Sequence, residues 1–127
     1  VLSPVIDMVT DNQGSPVNIM YFWITGILSS FLDNAPTYLV FFNLAGAGSG
    51  STNMAEFLMY QIPETLMAIS AGAVFMGAMT YIGNAPNFMI QSIAEENNVK
   101  MPSFFGYLLW SILILLPIYF ILSCIIF

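Results

Sequence analysis

Histidine is missing altogether from this 127-residue sequence, and cysteine and basic residues are nearly so, with Cys124 the one cysteine and Lys100 the one base. Each shortage removes a class of chemistry. Without histidine the chain lacks the commonest metal ligand and the commonest general base. One cysteine set in an apolar run permits neither a disulfide framework nor a thiolate metal site, and it reads as a small packing or lipid-facing residue. A single base cannot neutralise a phosphate backbone, so nucleic acid is excluded as a partner. The acidic pair Glu95-Glu96 lies in a polar loop and reads as a solvated charge run. With no nucleophile-base pair beside it, the chain is expected not to be an enzyme and to carry no cofactor.

Charge of either sign is scarce too. Charged residues make up 6% of the chain and hydrophobic ones 58%, against about 25% charged in a soluble domain. The mean hydropathy is +0.84. Seven acids (Asp7, Asp11, Asp33, Glu56, Glu64, Glu95, Glu96) and one base cannot cover a water-exposed surface. The composition predicts an all-helical integral membrane chain whose first partner is the lipid bilayer. The nine methionines and eleven phenylalanines are assigned to packing and lipid contact. The start at Val1, without a leader-like segment, reads as a piece of a longer polypeptide.

Residues 1 to 15 mix apolar residues with Pro4, Asp7, Asp11 and Gly14 without a sustained period, and predict a loop or interfacial lead-in. Residues 16 to 46 would span about 46 Å as one helix at ~1.5 Å per residue, more than a bilayer core of about 30 Å requires. Asp33 to Pro36 divides this run into two arms, each long enough to reach mid-membrane but not to cross it. A re-entrant helical hairpin is the expectation, and a tilted, kinked span the alternative. A small-residue loop (Ala45 to Thr52) follows, then Asn53 with Glu56 three residues on, an N-cap signature for a short interfacial helix over 53 to 63 that Pro63 stops. Residues 66 to 94 form a second long run, interrupted at Gly83 to Asn87; its Ala68 with Gly72 and Ala73 with Gly77 allow close helix approach. Residues 103 to 127 predict a last transmembrane helix, kinked at Pro117, with Tyr107 and Trp110 at its interface. Lys100 assigns the loop at 95 to 102 to the cytoplasm.

The pattern with chemical content is a repetition: Asn34-Ala35-Pro36 and, fifty residues later, Asn84-Ala85-Pro86. Proline disfavours helix at the residue before it and opens a new helix readily. Each run should therefore stop, unwind and restart. Unwound backbone inside hydrocarbon is tolerated only beside protein or a wet cavity, so both breaks should face an enclosed polar site. Carbonyls ending the first half-helices, near Phe31 and Leu32 and near Tyr81 and Ile82, can hold a cation, and the restarting N-termini favour an anion. Asp33, Asn34, Thr37, Gly83, Asn84 and Asn87 are the candidate ion- and substrate-binding residues, with Asp33 and Asn84 the candidate Na⁺ ligands. Asp33 is the sole charge between Asn12 and Ala55. A buried carboxylate costs at least about 2.5 kcal/mol on insertion scales, so a role in carrying a cation or proton is weighed against a simple N-cap.

The stretches Ser29 to Leu44 (SSFLDNAPTYLVFFNL) and Thr80 to Glu95 (TYIGNAPNFMIQSIAE) resemble the carboxy-terminal half of the ion transporter superfamily, which includes NhaD-type sodium/proton antiporters, arsenite permeases and citrate or dicarboxylate carriers. The resemblance implies one half of an inverted-repeat secondary transporter, completed by a missing amino-terminal half, in the bacterial inner membrane, with a homodimer among the assemblies it allows. Na⁺ or H⁺ would be the coupling ion. Where carboxylate carriers have a Ser-Asn-Thr tip, this chain has Asp-Asn-Ala-Pro-Thr. That acid favours sodium/proton antiport over cation-coupled citrate transport, and a non-transporting membrane subunit is the reading from another class.

Overall fold

The computed structural model describes residues 3–50 and 53–127, apart from the side chain of Ser3 and the exposure of Gly48. Among them every regular element is helical, and the only extended pairing is an isolated bridge between Thr10 and Pro16.

The lead-in expected to be a loop contains a helix, α1 (Ser3–Val9). Pro4 falls in its first turn, where a missing N–H costs nothing. Val9 is fully buried, with Val5 packed against the same core, so burial of two valines one turn apart stabilises a segment too short to hold itself helical. Asp11 then closes a tight turn, its carboxylate accepting from Gln13 N at 2.8 Å and Ser15 N at 2.9 Å. Gly14 completes that turn at φ +78°, a region that disfavours a side chain.

Helices α2 (Asn18–Ser29) and α3 (Asn34–Gly46) fold back on one another. The pairing is visible in Tyr21, near the start of α2, meeting Phe41, near the end of α3, edge to face with centroids 6.4 Å apart. The small-residue loop begins later than expected, since Ala45 and Gly46 continue α3. A 3₁₀ turn follows over Ala47–Ser49, and Gly50 takes a left-handed φ of 56°; residues 51–52 lie outside the described set.

Helix α4 (Met54–Tyr60) is capped by Asn53, whose side chain accepts from Glu56 N at 3.3 Å. Only Leu58 is buried in it. Pro63 does not merely end this helix: it opens the next, α5 (Pro63–Gly77), from a position where proline is welcome.

Helix α5 lies alongside α2 in the same direction. At their starts Thr65 donates to Asn18 Oδ1 at 2.7 Å. At their far ends Ser29 donates to the Ala73 carbonyl at 2.6 Å and Ser30 to the Met76 carbonyl at 3.0 Å. The approach is as close as backbones permit. A Cβ on Gly72 would collide with the Phe22 carbonyl, and one on Gly26 with the Met76 side chain. Ala68 and Ala73 are buried in the same seam, so the small residues of α5 serve packing.

After a non-helical stretch at 78–84, α6 (Ala85–Glu96) follows; it buries no residue. The last helix, α7 (Phe104–Ile126), is 23 residues long with a hydropathy of 2.5, and among the described residues it alone is long and apolar enough to cross a membrane. It is capped by Ser103, which accepts from Gly106 N at 3.2 Å, and continues through Pro117. Its buried residues are Ser111, Tyr119 and Ser123, spaced at four and eight residues on one face. Trp23 Nε1 donates to Ser123 Oγ at 3.2 Å and Tyr119 OH to the Phe75 carbonyl at 2.6 Å. The opposite face, with Leu109, Leu113 and Ile125 exposed, is apolar and suits lipid.

The α2–α5 seam sets a testable limit. Replacing Gly72 by leucine should destabilise the full-length protein by about 1–3 kcal/mol or prevent folding, the usual range for overpacking. The same replacement at exposed Val74 should leave the unfolding midpoint in detergent nearly unchanged.

Candidate functional site at two helix breaks

A helix that ends in a low-dielectric interior leaves its last carbonyls without N–H partners. Here side chains add to the hydrogen bonds that backbone N–H groups make to these carbonyls. At the end of α2, Ser30 N donates to the Gly26 carbonyl at 2.9 Å and Ser30 Oγ to the same oxygen at 3.0 Å. At the end of α5, the Phe75, Met76 and Ala73 carbonyls accept from Tyr119, Ser30 and Ser29. The Ala78 carbonyl accepts twice, from Asn87 Nδ2 at 3.2 Å and from Tyr107 OH at 3.0 Å. Asn87 Nδ2 also reaches the Thr80 carbonyl at 3.1 Å, so one amide spans the unwound stretch.

The two breaks meet. Thr80 is fully buried; its hydroxyl donates to the Ser30 carbonyl at 2.5 Å and accepts from Gly83 N at 2.9 Å. Gly83 lies so close to the end of α2 that a Cβ there would be 3.0 Å from each of the Ser29 and Ser30 carbonyl oxygens, and it would overlap the Gly77 carbonyl. Among the described residues no N–H or O–H is directed at the oxygens of Ser29 or Gly77. Two oxygen-rich helix ends therefore converge on one glycine. The converging carbonyls are those of Ser29, Ser30 and Gly77, earlier in the chain than the expected Phe31, Leu32, Tyr81 and Ile82. Helical turns stop sooner than the prolines alone imply, and serine hydroxyls share the last carbonyls with backbone N–H groups.

The candidate residues divide between the two breaks. Asp33 occupies the N-cap position of α3 (φ −56°, ψ 142°), yet its carboxylate makes no capping hydrogen bond and is exposed. Its charge is thus not used in tying off the helix. Its main-chain carbonyl accepts from Thr37 Oγ1 at 3.0 Å; Thr37 is buried and turned back onto its own helix. Asn34 is half-buried and lines a crevice of about 420 Å³ with Ala35, Tyr38, Ser70, Ala73 and Val74. At the second break, Asn84 Oδ1 caps α6 by accepting from Asn87 N at 3.0 Å. Asn87 is the strap already described, and Gly83 sits against α2. Among the described residues no contact joins the Asp33 carboxylate to Asn84.

Sequence reasoning places Tyr107 only at the membrane interface and passes over Thr80, Ser29 and Ser30, although a signal for Ser30 and Thr80 exists. Ser30 to Pro36 (SFLDNAP) and Thr80 to Pro86 (TYIGNAP) align over seven positions: hydroxyl, aromatic, branched aliphatic, a variable residue, then Asn-Ala-Pro. The variable position holds Asp33 in one copy and Gly83 in the other. Replacing Thr80 by valine removes a donor to Ser30 and an acceptor for Gly83 in a buried site. It should cost about 1–3 kcal/mol and lower the unfolding midpoint in detergent, whereas Ser92→Ala, on exposed α6, should not.

Neither a curated protein nor a solved structure matches the chain. A family model described as "Putative citrate transport" matches residues 1–127. With the apolar α7 beside two broken helical runs, the chain belongs to this citrate-transport family of integral membrane proteins.

Proposed function

We propose that the chain is one half of a secondary transporter that moves citrate or a related carboxylate together with a cation. In this reading α2 and α3 re-enter the bilayer as a hairpin, α5 unwinds into α6 at the same depth, and an amino-terminal half supplies the inverted counterpart. The observation that carries it is the meeting of two carbonyl helix ends, those of α2 and α5, at Gly83. The carbonyl ends of α2 and α5 form a negative pole suited to Na⁺ or H⁺. The first turn of α3, left without a side-chain cap, offers N–H groups to a carboxylate, and the Asn34 amide adds a donor.

Asp33 explains coupling. Its ionised carboxylate stands at the mouth of the N-terminus that would receive the anion, so an unneutralised Asp33 repels citrate. Binding of a cation or proton there removes the repulsion, and carboxylate binding becomes conditional on the coupling ion. Family membership supports citrate as the substrate class. The exposed, uncapped carboxylate favours a second reading, sodium/proton antiport, in which Asp33 exchanges the two cations without an anion.

Full-length protein in liposomes separates the readings. Radiolabelled citrate should accumulate under an inward sodium or proton gradient, and Asp33→Asn should uncouple or abolish uptake, with at least a roughly tenfold loss of gradient-driven accumulation, the scale of about 1.4 kcal/mol in driving free energy. Citrate left outside while sodium collapses a pH gradient would overturn the carboxylate reading in favour of antiport. Asp33→Asn vesicles that accumulate citrate normally would remove Asp33 from coupling.

A further inference from the structure

Helix α6 carries an oxygen ladder that none of the packing uses. Asn87, Gln91 and Glu95 recur every four residues and so share one face, while Met89 and Ile93 are exposed on the opposite side of the helix. The ladder starts at the junction and ends at a polar mouth. At its foot Asn87 Nδ2 is committed to the Ala78 and Thr80 carbonyls. One turn on, Gln91 Nε2 donates to Glu95 Oε1 at 3.2 Å. Asn87 thus spends both of its amide N–H groups within the chain and Gln91 one of its two. Among the described residues no donor reaches Asn87 Oδ1 or Gln91 Oε1, so the two amide oxygens and the Glu95 carboxylate form a row of acceptors. At the far end a crevice of about 410 Å³ is lined by Glu95, Asn98, Val99, Lys100 and Met101.

We infer that this row is the access route of the coupling cation: a hydrated monovalent cation is collected at Glu95, passes Gln91 Oε1 and Asn87 Oδ1, and reaches the carbonyl ends around Gly83. The inference rests on the transporter reading above and adds the path and its side, that of the 95–102 loop. Oxygen acceptors spaced one turn apart replace part of a hydration shell, and the Glu95 carboxylate disfavours an anion. A polar stripe on a helix at membrane depth is costly unless water reaches it.

The test uses full-length protein freed of its native cysteines, Cys124→Ala among them, with Gln91→Cys or, on the opposite side of α6, Met89→Cys, in sealed vesicles of both orientations. A membrane-impermeant cationic thiosulfonate should modify position 91 only from the 95–102 side, at least tenfold faster than position 89. Replacing N-methylglucamine by sodium or potassium should slow it at least threefold. Equal rates at 89 and 91, no modification at 91, or modification that neither ion slows would each overturn the inferred route. Because labelling does not require transport, these outcomes are independent of whether citrate moves. Absence of citrate uptake by the unsubstituted protein, with ion-sensitive labelling at position 91, would count against the carboxylate reading and leave the cation route standing.

Discussion

Everything in this chain depends on what happens to peptide carbonyls where a helix stops away from water. Two helices end at one place, and a low-dielectric surrounding makes each orphaned C=O expensive. The chain answers with short hydroxyl side chains and one amide placed at the ends themselves: Ser29, Ser30, Thr80 and Asn87 donate to carbonyls at or near the two helix ends. What is left over, the oxygens of Ser29 and Gly77 facing Gly83, is a small concentration of negative dipole rather than a defect. Parallel alignment of α2 and α5 reinforces it, because like helix poles are brought together.

The alignment in turn requires contact closer than ordinary side chains permit. Gly26 and Gly72 supply it, with Ala68 and Ala73 filling the same seam. Close packing and hydrogen bonds can both hold such a seam. Both are present: backbone against backbone in the middle, Asn18 with Thr65 at one end, the serines at the other. The polarity of the junction and the glycine content of the seam are therefore one design constraint.

Much of this was legible in the residues. Two prolines in long apolar runs, each preceded by Asn-Ala, located both interruptions, and the small residues four apart in α5 marked the packed face. The final span was plain from its length and lack of charge. Other features were not legible locally. Helix α1 forms because Val9 is buried by elements later in the chain, which no period within seven residues reports. The partners of Ser29, Ser30 and Thr80 lie forty to fifty residues away, and a hydroxyl in an apolar run does not announce which turn of backbone it will reach. Asn84 and Asn87, noted for their oxygens and amides, turn out to be occupied as cap and strap.

One peptide oxygen links three helices. The carbonyl of Ala78, the first past the end of α5, takes hydrogen bonds from Asn87 at the foot of α6 and from Tyr107 in the first turn of α7, and the Tyr107 ring is stacked on Tyr81 with centroids 4.3 Å apart. Neither α6 nor α7 can be repositioned against α5 without surrendering a bond to that atom. The unwound segment is consequently anchored like a spoke at its hub, and α6, α7 and the end of α5 move as a linked set.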